Sequence, residues 1–160
     1  MTGKRTWSPV EAKLVSEFCA VRYPDRRVLQ RVRVGRIPKE LDTVGLDPAE
    51  IRMLGVWRRW VDAIVVDPPY LRVIEAAMLP NPGDVSQLEL YMHLVPSTPE
   101  LWEFVDLEPI GILVYAIDDP VIRRLAADRG YTIEIYQPAW LSQYLGRLFP
   151  RERRAPLSQA

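Results

Sequence analysis

The chain has 160 residues, 48% hydrophobic and 26% charged, with 21 basic and 21 acidic side chains and a formal net charge of zero. That is enough apolar sequence for one domain with its own core, while the balanced charge gives no global attraction to nucleic acid. Apolar runs stop well short of the ~20 residues a membrane span needs, and a single cysteine, Cys19, excludes an internal disulfide and a cysteine-rich zinc site. Residues 1–7 carry no apolar leader core, so a cytoplasmic location, or one inside a virion, is expected, neither secreted nor in a membrane.

The first element reads as a helix from Ser8 to about Val21. Serine stands at the cap, Pro9 in the first turn and Glu11 three after the cap. Leu14, Val15 and Phe18 face inward, Cys19 is a buried structural thiol, and Pro24 stops the helix. Residues 28–35 alternate apolar and polar and read as the first strand. This part of the chain is crowded with arginine: Arg22, Arg26, Arg27, Arg31, Arg33 and Arg36, then Arg52, Arg58 and Arg59. Only three lysines occur, Lys4, Lys13 and Lys39. Arginine favours phosphate and bidentate carboxylate contacts.

Residues 43–53 read as a loop or short helical turn. Residues 56–66 form the second strand, Asp67-Pro68-Pro69 a turn, and 70–78 the third strand. A helix follows over 84–94, capped by Asp84, with Val85, Leu88, Tyr91 and Met92 on one face. The run 110–117 is nearly all apolar, as a strand buried on both faces would be. A helix over 120–129 ends at Gly130, and 131–136 is the last strand. Residues 140–149 read as a short helix, and Arg151-Glu152-Arg153-Arg154 opens a basic tail. The expected fold is therefore α/β: one domain over 1–150, a mixed central sheet flanked by helices, and a tail over 151–160.

Two acids interrupt apolar strands: Asp62 in Trp60-Val61-Asp62-Ala63-Ile64 and Glu75 in Val73-Ile74-Glu75-Ala76-Ala77. Burying a carboxylate is unfavourable unless a cation or hydrogen bonds compensate. A tight turn between these strands brings the acids side by side, where a hard divalent cation would find oxygen ligands. Gln87 and Tyr91 lie four apart on the next helix and share a face.

This order resembles the PD-(D/E)XK nuclease superfamily, particularly its RecB-like branch. That pattern has an acid on strand two, Glu-X-Lys on strand three and Gln-X-X-X-Tyr on the following helix. Asp62, Glu75, Gln87 and Tyr91 match, and Glu17 (or Glu11) stands where a first-helix acid is often found. The resemblance covers roughly residues 8–138 and implies a restriction-endonuclease-like fold. It also implies Asp62 and Glu75 as ligands of Mg2+, if any cofactor is bound. Ala77 stands where the superfamily has the lysine that holds or activates the attacking water. Arg72 points to the other face of a regular strand and is a poor base. Lys13, four before Glu17, is the substitute to consider.

The expected function is a catalytically impaired nuclease-fold protein with a structural or DNA-associated role. DNA or neighbouring protein subunits would be its partners, as in a phage particle, a head-tail connector or a packaging assembly. An active Mg-dependent deoxyribonuclease is the alternative. Each acid also has a plain structural reading: Asp62 paired with Arg58 or Arg59, and Glu75 accepting hydrogen bonds from Gln87 or Tyr91.

Overall fold

A computed structural model describes residues 8–41, 44–53 and 58–150. Five strands form one sheet in the order β1-β2-β3-β4-β5. These are β1 (Arg27–Val34), β2 (Arg59–Asp67), β3 (Tyr70–Ala77), β4 (Glu108–Tyr115) and β5 (Thr132–Ile135). The first three run antiparallel, whereas β3–β4 and β4–β5 are parallel. Helices supply the crossovers parallel strands need: α3 (Pro82–Leu94) between β3 and β4, and α4 (Pro120–Asp128) between β4 and β5. The other helices are α1 (Pro9–Arg22), the short α2 (Pro48–Met53) and α5 (Leu141–Leu148). The expected mixed α/β sheet is thus the observed one. The basic tail, the start expected for the second strand and Trp57 lie outside the described residues.

The sheet separates two cores. On one side α1 and α5 bring Leu14, Val15, Phe18, Cys19 and Leu141 onto Ala63, Val65, Ile74, Ala76, Ile112 and Val114. Burial there pushes the Cys19 thiol up to about 11, because desolvation disfavours the thiolate. On the other side α3 and α4 bring Val85, Leu88, Tyr91, Ile122 and Ala126 onto Val61, Ile64, Val73, Ala77, Leu113 and Tyr115. The strand at 108–115 is buried on both faces, as its unbroken apolar run indicates. Gly111 has a packing reason. A Cβ there would lie 2.7 Å from the Tyr131 ring and 3.1 Å from Leu88 Cδ2, so only glycine lets α3 sit this close.

Helix α3 starts earlier than the sequence suggested. Asn81 is the cap, accepting from the Gly83 N–H, and Asp84 occupies the third helical position. The Asp84 carboxylate reaches back to the Asn81 N–H, closing a capping box. The signal was ambiguous because Asn81 and Asp84 are both good caps and Pro82 suits the first turn.

Strict alternation fails at one place in both β1 and β2. Leu29 and Val32 pack against the same core, as do Val61 and Ile64, although three-residue spacing should place each pair on opposite faces. The register nevertheless stays constant: Gln30↔Ala63 on one side of the slip and Val32↔Val61 on the other. Arg31, at the slip, has φ +53°, a left-handed conformation uncommon outside glycine. Asp62 is the residue across from it.

Candidate functional site

The β2–β3 ladder runs from Asp67↔Tyr70 to Ala63↔Ile74 and stops there. Asp62 and Glu75 are the next residues along, so the hairpin brings the two acids to facing positions at the point where β2 departs from β3. At that point a backbone donor of β3 would lose its partner. The Asp62 side chain supplies one: its Oδ2 accepts the Ala76 N–H at 2.9 Å. Asp62 is 9% exposed and Glu75 0%. The guanidinium of Arg58, one expected partner of Asp62, is engaged elsewhere, donating to the Arg33 carbonyl (2.8 Å), the Gly35 carbonyl (3.0 Å) and Glu100 (2.7 Å).

Glu75 alternates with Val73 and Ala77, so its side chain faces α3. Above it α3 presents Val85, Leu88 and Tyr91, all buried. Gln87 is half-buried and its amide donates to the Tyr91 hydroxyl, so the two residues of the Gln-X-X-X-Tyr pattern are joined to each other. Ala77 pairs with Tyr115 across the parallel ladder, and both belong to this core. The Tyr115 hydroxyl donates to Asp84 Oδ2 at 3.2 Å. Asp84 is thus a third buried acid of this face, 8% exposed, tying the start of α3 to the end of β4. From sequence alone Asp84 is expected as a helix cap and Tyr115 as part of an apolar strand. Tyrosine in an otherwise aliphatic run was the available signal, since a buried phenol needs an acceptor.

Glu17 is not brought to this pair. It sits on α1, on the opposite face of the sheet, where its carboxylate accepts from Trp140 Nε1 at 3.0 and 3.1 Å. Lys13 goes with it, 4.0 Å from Glu17 and 4.8 Å from the centroid of the Trp140 ring. It has no access to Glu75 from there. Arg72 also points away from Glu75, as alternation required, and donates to Asp67 at 2.8 Å. His93, the lone histidine, lies exposed at the end of α3.

The residues fit a magnesium centre poorly. Among the described residues no group of three or more His, Cys, Asp or Glu side chains is assembled as a metal site. Magnesium keeps several waters in an octahedral shell. A fully buried glutamate and an aspartate already accepting a backbone N–H leave little room for such a shell. A cavity of about 170 Å³ at the end of β1 is lined by Gly35, Arg36, Ile37, Arg58, Pro99 and Glu100, and neither acid lines it.

No family model and no curated protein matches the chain. Solved structures do match its fold. A repair endonuclease from Pyrococcus abyssi is 16% identical with a TM-score of 0.51, over 83% of this chain and 48% of that one. The EndoMS-dsDNA2 complex is 17% identical with a TM-score of 0.50, over 86% of this chain and 49% of that one. The chain spans about half the length of these two proteins. No helix among the described residues is long and apolar enough to cross a membrane. The five-stranded mixed sheet with helices on both faces is the nuclease-like fold of these endonucleases.

Proposed function

We propose that this chain is a nuclease-fold domain that associates with DNA and has lost the means to cleave it. One observation carries the reading: Ala77 stands where the resembling enzymes have lysine, and neither Lys13 nor Arg72, the two substitutes the sequence offers, takes its place. Lys13 is held on the far face of the sheet, and Arg72 is paired with Asp67. The acids that remain act in the architecture. Asp62 replaces a missing ladder partner, and Asp84 and Tyr115 lock α3 to β4. The likeness to a protein solved in complex with double-stranded DNA supports DNA as the partner class.

An active metal-dependent nuclease is the reading favoured by the facing positions of Asp62 and Glu75. Incubation with plasmid and with single-stranded DNA in magnesium or manganese decides between the two. The expected result is intact substrate over a long incubation. Cleavage that disappears in Asp62→Ala would overturn the proposal and establish the enzyme.

A further inference from the structure

The sheet edge carries a second cluster that the acid pair does not use. Arg33 of β1 pairs directly with Trp60 of β2, and the indole is 50% exposed. Two guanidinium groups lie against it, Arg31 Cζ at 5.0 Å and Arg33 Cζ at 5.5 Å from the ring centroid. Both are within the range where an aromatic face attracts a cation.

The backbone is bent to make this arrangement. The left-handed turn at Arg31 lets Leu29 and Val32 share a core while Arg31 stays with Arg33 and Trp60. Such conformations persist only where their surroundings hold them, and they concentrate at functional sites. The brace is Arg58, whose guanidinium is bonded to the carbonyls on both sides of Val34. A pre-ordered patch loses little entropy when it binds.

The chemistry narrows the occupant. Guanidinium groups take phosphate oxygens in a way lysine does not; Arg31 is exposed and Arg33 half-buried, and β1 is an edge strand of the described sheet. A half-exposed indole adds a surface on which a nucleobase can stack. Duplex DNA keeps its base faces stacked on one another, whereas an unpaired strand offers base faces and phosphates together. An acidic protein would use the arginines but would gain nothing specific from the indole. We infer that Arg31, Arg33 and Trp60 form a binding surface for single-stranded DNA. This rests on the DNA-associated reading above and names the form of DNA.

The test is fluorescence anisotropy with a labelled mixed-sequence oligonucleotide and its duplex, without metal, so that cleavage plays no part. Wild type is expected to bind the single strand more tightly than the duplex. Arg31→Ala/Arg33→Ala is expected to weaken single-strand binding by about tenfold or more. The double variant also flattens the slope of log K against log salt by roughly 1.4, since each phosphate contact on a single strand contributes about 0.7. Trp60→Ala is expected to lose roughly tenfold, and Trp60→Phe to stay close to wild type, because stacking needs a ring rather than an indole. Circular dichroism and melting of each variant check that the fold is intact. Wild-type affinity in both the double-arginine and Trp60→Ala variants overturns the inference and leaves DNA association standing. Tighter binding of duplex than of single strand overturns it equally. A wild-type protein that binds neither form removes the DNA reading, and this inference falls with it. Cleavage in the nuclease assay would end the claim of lost activity and leave this surface untouched.

Discussion

Asp62→Ala is expected to lower the unfolding free energy by about 2–3 kcal/mol, the usual penalty for stranding a buried donor whose partner was charged. For a chain of this size that is a fall in melting temperature of roughly 5–10 °C. The stranded group is the Ala76 N–H, which has the Asp62 carboxylate at 2.9 Å where the β2–β3 ladder gives out. Asp62→Asn keeps an acceptor and loses only the charge, so its cost is expected to be about half. Urea unfolding of the three proteins at neutral pH measures both values. The experiment separates two kinds of acid. A carboxylate retained for catalysis usually destabilises its fold, and removing it raises stability. A more stable Asp62→Ala protein would therefore mark an acid held in place for chemistry.

The second large effect concerns the contact between α3 and β4. Asp84→Ala is expected to cost about 2–4 kcal/mol, because it removes both the capping-box acceptor of α3 and the acceptor of a buried phenol. The two donors are the Asn81 N–H at 3.1 Å and the Tyr115 hydroxyl at 3.2 Å. Tyr115→Phe removes only one of those bonds and is expected to cost about 1 kcal/mol. The double variant closes a cycle, and a coupling near 1 kcal/mol is expected for residues in direct contact. Additive single effects would show that the Tyr115–Asp84 bond contributes nothing to the attachment of α3.

Much of this architecture was legible in the sequence, for identifiable reasons. The all-apolar run around Ile112–Val114 required a strand covered on both faces, and it lies between α1/α5 and α3/α4. Asp62 and Glu75 stood out because an acid in an aliphatic strand needs a compensating partner. Their facing positions followed from the short Asp67-Pro68-Pro69 turn. Three things were not legible. The slip at Arg31 and Asp62 depends on a single backbone angle with no glycine to announce it. The partner of Asp62 is a main-chain N–H, and main-chain donors leave no trace in the order of side chains. Glu17 has the right spacing on α1, yet α1 packs on the face away from Glu75, and Trp140 from the far end of the chain takes its carboxylate. Sequence spacing fixes which residues share a helix face; it does not fix which side of a sheet the helix covers.

Asp62 and Glu75 are expected to bind no divalent metal, Asp62 serving the fold instead through the Ala76 N–H. Isothermal titration calorimetry of the purified protein with magnesium and with manganese tests this directly. Only heats of dilution are expected, unchanged in the Asp62→Ala protein. A saturable heat with either ion that vanishes in Asp62→Ala would contradict this expectation.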